Sequence, residues 1–204
     1  MTDPVVAEYA KAAERYDEKW AFYVEATTRE TLRRMPMTPA ARVLDVGCGT
    51  GELLRRLRAK YPDAVLGGLD PVAEMLAVAR DKLSGKEDLR IGYADSLPWA
   101  SATFDVVVSC NMFHYISHPV AALREMARVL RPGGTIVLTD WCDDYLACRV
   151  CNLYLRLTNR AFYKTYRQAE CRELLGRAGF REVRLERYKI SWLWGLMTAV
   201  IKKS

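Results

Sequence analysis

The run Val43-Leu44-Asp45-Val46-Gly47-Cys48-Gly49-Thr50-Gly51 constrains this chain more than any other stretch. Val43, Leu44 and Val46 predict a buried strand, the three glycines a sharp turn, and Glu52-Leu53-Leu54 the start of a helix. Glycine has no Cβ, so the backbone can turn tightly and approach a ligand closely. Asp45 puts a carboxylate just before the turn. Such a unit suits the first strand of an α/β sheet, with a nucleotide-type ligand over its carboxyl end. The spacing alone is ambiguous. It is G-x-G-x-G, not the G-x-G-x-x-G that seats a pyrophosphate at a helix N-terminus. A plain strand–helix connection would also use it.

The segments that follow repeat the pattern. Ala64–Asp70 is a second apolar run ending in an acid, and Pro71-Val72-Ala73-Glu74-Met75-Leu76 opens another helix. A carboxylate at the end of a second strand can accept both ribose hydroxyls. Leu89–Asp95 predicts a third strand, also ending in an acid, and Phe104–Ser109 a fourth. Val129–Leu138 supplies the turn Arg131-Pro132-Gly133-Gly134 and a fifth strand. The alternation implies a parallel sheet with right-handed crossovers. Gln168–Ala178 reads as a last helix, and Arg181–Ile190 and Leu196–Lys202 as two closing strands.

Taken in order, Asp45–Gly51, Asp70, Asp95 and Arg131–Gly134 resemble a class I S-adenosylmethionine-dependent methyltransferase. The similarity is to the branch that includes the ubiquinone and menaquinone biosynthesis methyltransferases, and it runs from about Val43 to Leu138. It implies a Rossmann-like α/β fold: a seven-stranded, mostly parallel sheet of order 3-2-1-4-5-7-6 with helices on both faces. It also implies S-adenosylmethionine as cofactor and S-adenosylhomocysteine as product. Gly47, Cys48 and Gly49 would lie along the methionine part of the cofactor, with Asp45 toward its amino group. Asp70 would take the ribose, with Pro71 beside it and Met75 near the adenine. Asp95 would accept from the adenine amine, with Ser96 and Leu97 alongside, and Ser109 and Cys110 would line the sulfonium region. Asp70 and Asp95 could instead cap the turns that follow them.

A length of 204 residues suits a single domain, 1–204, without a separate substrate domain. Met1-Thr2-Asp3-Pro4 lacks the basic and apolar regions of a signal peptide, and no run of eighteen apolar residues occurs. Six cysteines then read as reduced thiols, and the expected location is cytoplasmic. Cys148 and Cys151 form one C-x-x-C, with no further ligands at metal-site spacing, so no metal is expected.

Charge is segregated. Residues 1–145 carry 18 Lys and Arg against 21 Asp and Glu, a net of −3, whereas residues 146–204 carry 13 against 4, a net of +9. The basic excess suggests an anionic partner on that side, or simply a solvated basic face. Between the fifth strand and the last helix lies a predicted helical insert, 141–166. There Arg149, Arg156, Arg160, Lys164 and Arg167 form a basic stripe on an otherwise apolar helix. Such a helix suits an amphipathic substrate, peripheral contact with an anionic membrane, or a dimer interface.

The resemblance implies that the first forty residues form a helical lid over the cofactor, although their aromatics could instead only pack on the sheet. Tyr9, Tyr16, Trp20 and Tyr23 fall on one helical face, and an open cofactor site needs a cover that excludes water. Tyr16 is placed against the cofactor by the resemblance. His114, in Cys110-Asn111-Met112-Phe113-His114-Tyr115, is the candidate general base, or a histidine that orients substrate. Tyr115, Tyr16 and Asp140 are weaker candidates. The Ser109-Cys110-Asn111-Met112 segment lacks the Asn/Asp-Pro-Pro-aromatic cluster typical of nucleobase methylation, which disfavours a nucleic-acid partner. The expected activity is methylation of a small amphipathic or anionic, lipid-like molecule. A cofactor-binding regulatory or partner protein without turnover would carry the same acids.

Overall fold

The computed structural model describes residues 3–203; Met1, Thr2 and Ser204, the ends of the expected domain, lie outside it. Seven strands form one sheet of order β3-β2-β1-β4-β5-β7-β6. They are β1 (Arg42–Val46), β2 (Val65–Asp70), β3 (Asp88–Ile91), β4 (Phe104–Cys110), β5 (Leu130–Trp141), β6 (Val183–Lys189) and β7 (Gly195–Lys202). The first five run parallel, and β7 pairs antiparallel with both β5 and β6. The expected order, edge to edge, is the one observed.

The strands alternate between two buried layers, as a period of two requires. Leu44, Val107, Ile136 and Leu138 face one layer, and Val43, Val106, Val108 and Val137 the other. Helices α4 (Glu52–Lys60) and α5 (Ala73–Lys82) cover the second layer through Leu53, Leu54, Leu57 and Leu76. Helices α6 (Pro119–Val129) and α8 (Gln168–Arg177) cover the first through Leu123, Met126, Val129 and Leu175. Pro119 opens α6, where its missing N–H costs nothing. The Arg131–Gly134 turn lies inside β5, with Gly133 at φ 73° and a register shift against Phe104 and Val106 in β4.

The N-terminal cover is less regular than a single helical face. Helix α1 (Pro4–Ala12) passes through a 3₁₀ turn, Ala13–Arg15, into the short α2 (Tyr16–Lys19), and α3 (Ala21–Arg34) follows. The breaks rotate the aromatics apart. Tyr9 and Tyr16 join Val6, Ala10 and Ala13 in packing on Val72 and Met75 at the start of α5. Tyr23, one break further on, is buried against Asn111 and Trp141.

The insert is likewise shorter than expected. Helix α7 (Leu146–Thr158) ends before Arg160, and residues 159–167 return toward the sheet through a bridge between Cys142 and Tyr166. Lys164 pairs with Glu170 at 2.6 Å, and Arg167 is the N-cap of α8. Only Arg149 and Arg156 of the basic stripe therefore belong to this helix.

The glycine turn is pinned rather than loose. The amides of Gly47 and Cys48 both donate to the Leu69 carbonyl at the end of β2, at 2.7 and 3.0 Å. Gly47 has φ 79°, and a Cβ there would sit 2.3 Å from Met112 Cγ. Gly49 has φ 51°, but a Cβ there would meet open space. Both Gly→Ala variants should lose stability from the left-handed backbone, by about 1–2 kcal/mol. Gly47→Ala should lose more in urea melts, and Met112→Ala should recover part of that excess. Equal losses, or no recovery, would show that Met112 does not set the turn.

Candidate active site

The strand order reverses between β1 and β4, and a crevice opens there beyond their carboxyl ends, the usual ligand position in an open α/β sheet. It is a cavity of about 1050 Å³. Each strand end delivers one piece of its wall: Asp45 and the glycine turn from β1, Asp70 from β2, the loop carrying Asp95 after β3, and Asn111 after β4. The first helices close it with Tyr9, Tyr16, Val24 and Thr28.

Asp45 is fully buried, and its Oδ1 has no hydrogen-bond partner among the described residues. Burial, and then the charge of Asp70, push its carboxyl up to about 8. A buried polar atom without a partner is costly, so this one asks for a donor from a ligand. Asp70 is better supported. Its Oδ2 accepts from Gly49 N at 2.9 Å and its Oδ1 from Val72 N at 3.0 Å. Burial still raises it to about 6, against the lowering effect of those two amides. Each carboxylate oxygen keeps a lone pair free for a hydroxyl.

Four amides of the turn are already taken, and two carboxylates stand behind them. Gly47 and Cys48 are committed to Leu69, Gly49 to Asp70, and Gly51 N to the Cys48 carbonyl at 2.9 Å. A phosphate at a strand–helix turn needs free amides. A cation or neutral hydroxyls suit this wall instead. The residues fit S-adenosylmethionine, whose ammonium would answer Asp45 and whose ribose would answer Asp70. Val72 and Met75 supply an apolar surface beside them.

Of the residues singled out from the sequence, Tyr16, Asp45, Gly47, Cys48, Gly49, Asp70, Pro71, Met75, Asp95 and Cys110 line this cavity. Ser109, Ser96 and Leu97 are not in its lining. Ser109 points into the sheet packing with no exposed surface, and Leu97 joins the core. Asn111, one residue past Cys110, takes the position expected of Ser109. It stands at φ 60°, a conformation asparagine tolerates better than most residues. Its side chain is fixed by Tyr23 Oη at 2.8 Å and Thr27 Oγ1 at 2.7 Å.

His114 also lies behind the wall. Its ring meets Asp140 Oδ1 at 2.7 Å and packs against Trp141 and Phe162, while its backbone N–H donates to Asp140 Oδ2 at 2.9 Å. Its carbonyl accepts from the amides of Tyr163 and Lys164, at 3.1 and 3.0 Å. That ties the segment after α7 to the end of β4. The neighbouring Tyr115 is what faces the cavity, its hydroxyl hydrogen-bonded to that of Tyr9. The cover is further latched by Asp17, which accepts from Thr50 Oγ1 at 2.6 Å and pairs with Lys82. Arg160, Phe162 and Tyr163 complete the wall.

The ionised form of Asp45 is the poor fit, which gives a pH signature. Below about pH 4 the carboxyl is neutral folded or unfolded, and costs nothing. Between about pH 4 and 8 only the unfolded chain ionises freely, so stability falls as pH rises through that window. Asp45→Asn should therefore raise the Tm of the ligand-free protein by several degrees at pH 8 and by much less at pH 5. The same gain at both values would show that Asp45 titrates as an ordinary carboxylate.

Comparison with known proteins agrees with this geometry. A family model described as a methyltransferase domain matches residues 44–138. The 27-O-demethylrifamycin SV methyltransferase of Amycolatopsis mediterranei is 35% identical over 62% of this chain and 49% of its own length. The malonyl-[acyl-carrier protein] O-methyltransferase of Laribacter hongkongensis is 34% identical over 70% of this chain and 52% of its own. The chain thus spans about half the length of these curated relatives. A methyltransferase of Haloferax volcanii, solved with the Trm112 methyltransferase activator, shares the fold with a TM-score of 0.84 at 23% identity, over 97% of this chain and 98% of the other.

Proposed function

This chain belongs to the class I methyltransferases, and we propose that it binds S-adenosylmethionine in this cavity and methylates a small acceptor bearing an anionic group on an apolar body. The observation that carries the reading is the unpartnered, buried Oδ1 of Asp45, set beside Asp70 under a turn whose Gly47, Cys48, Gly49 and Gly51 amides are already bonded. When bound, the cofactor supplies a methyl group already activated on a sulfonium, so the protein adds position and dryness.

On the acceptor side, Arg160 is the one Lys, Arg or His lining the cavity among the described residues. Tyr115, Phe162 and Tyr163 give that wall an aromatic, largely apolar character. Burial pushes the phenols of Tyr9, Tyr16 and Tyr115 well above their ordinary range, so they stay protonated donors near neutral pH. Asp45 and Asp70 are committed to the cofactor. An acceptor that arrives ionised, such as a carboxylate, needs no base, because its oxygen attacks without losing a proton. Arg160 would hold such an oxygen by a charge-assisted hydrogen bond. His114 then acts as a positioning residue, through the carbonyl that holds the segment after Arg160. Two relatives are named for activities on a rifamycin and on the malonyl group of a carrier protein, the second an O-methyltransferase. Both names accord with an oxygen acceptor.

Asp70→Ala should weaken S-adenosylhomocysteine binding by about ten- to a hundredfold, since it removes hydrogen bonds to a charged group. Titration calorimetry reads this directly, and an unchanged affinity would overturn the cofactor assignment.

The acceptor class is tested by transfer of a labelled methyl group to matched amphiphiles carrying a carboxylate, an amine or a neutral hydroxyl. The carboxylates should be labelled. Arg160→Ala should raise their KM by about tenfold or more while leaving S-adenosylhomocysteine affinity unchanged. Labelling of the amine or neutral set alone, with Arg160→Ala indifferent, would overturn the anionic acceptor and leave the cofactor assignment standing.

A further inference from the structure

Helix α7 is packed inside out. A surface helix ordinarily turns its apolar stripe inward and its polar side to water. Here the side chains buried on the protein are Cys148 and Asn152. Asn152 is held by Asp143 at 3.3 Å, and Cys148 Sγ lies 3.3 Å from Gly195 N. The outward ridge is Leu146, Val150, Leu153, Tyr154 and Leu157, one turn apart along the helix, with Leu146 74% and Leu157 79% exposed. The connection between β6 and β7 runs beside α7, its Leu193 carbonyl next to Cys148, and it adds Trp192, 83% exposed.

The rim of this ridge is predominantly basic. Arg149 and Arg156 flank it on the helix itself, and Arg160 follows just past its end. Arg187 and Lys189 lie over the ring of Tyr145 at its start. Helix α7 has no Asp or Glu. Asp143 and Asp144 are turned to Asn152, Thr165 and the amide of Gln168, and one exposed acid, Glu8, meets Asn159 at the end of the helix at 3.1 Å.

We infer that this face docks on an anionic membrane surface, with the ridge at the acyl boundary and the guanidiniums among the phosphates. Both halves of the surface are then used: apolar area is buried and the cations are neutralised. A second copy of the chain would bring arginines against arginines around the same ridge, which like-charge repulsion opposes. The face also leads to the cavity. Residues 160–163 continue directly from α7 into its wall, so docking would set the mouth near the lipid. The inference stands on the helix and its charges, independently of the acceptor proposed above.

The test is co-sedimentation of the full chain with vesicles of phosphatidylcholine, with and without one third phosphatidylglycerol, at low and at high salt. Binding should require the anionic lipid and weaken with salt. Arg149→Glu with Arg156→Glu should lower partitioning by about tenfold or more. Leu153→Asp with Leu157→Asp should abolish it. None of these side chains lines the cavity, so Tm and S-adenosylhomocysteine affinity should be unchanged, which separates lost docking from lost folding or a failed cofactor site. Wild-type protein left in solution with anionic vesicles at low salt would overturn the inference. So would undiminished binding by the Asp pair, or a wild-type dimer that the Asp pair splits.

Discussion

Two hydrogen bonds to one carbonyl hold the site together. Leu69 O, at the end of β2, receives the amides of Gly47 and Cys48 at the end of β1. This bonding requires the chain to reverse within a few residues at positive φ, which is why glycine stands at 47. It also sets Asp45 below the turn and Asp70 beside it, where Gly49 reaches across to the Asp70 carboxylate. The turn can then approach a ligand closely with the amides of Gly47, Cys48, Gly49 and Gly51 already bonded. The same glycine-rich element that elsewhere cradles phosphate here leaves recognition to two buried carboxylates.

Those carboxylates make the site unstable without a ligand and apt with one. Burial raises both, and neither has a cation among its hydrogen-bond partners in the described residues. A ligand ammonium would restore to Asp45 the charge and the donor that folding removed. Stability and binding are therefore linked through one proton, and the cover helices decide how dry that exchange is. Tyr9, Tyr16 and Asp17 each tie the cover to a different part of the site: Tyr115, the start of α5, and the turn at Thr50.

The sheet was legible in the sequence because its signals are local. β1 is an apolar run closed by a glycine turn and β2 one closed by an acid, and the residues of β1, β2, β4 and β5 lie where the apolar runs place them. The order of the last strands came from resemblance, since antiparallel insertion of β7 leaves no mark on hydrophobic periodicity. The cofactor wall was legible for the same reason as the sheet, being built from strand ends. The acceptor wall was not. Tyr115, Asn111, Arg160 and Phe162 meet through returns of the chain that no short pattern encodes. His114 shows the limit well: its position after β4 is right for chemistry, but Asp140 turns its ring into the protein and leaves Tyr115 to face the cavity.

Helix α7 marks the other limit, because periodicity finds an apolar stripe but not the direction in which it points. The sequence stripe ran on to Lys164 and Arg167, and folding gave those two to Glu170 and to the N-terminus of α8. What remained was a helix whose buried side chains are one asparagine and one cysteine. Anchors that small bury little area, so packing alone gives weak reason for this orientation. Five large apolar side chains in water are a standing cost. An environment that takes the ridge out of water would offset it, and the arginines beside the ridge select, among such environments, one with negative charge at its edge.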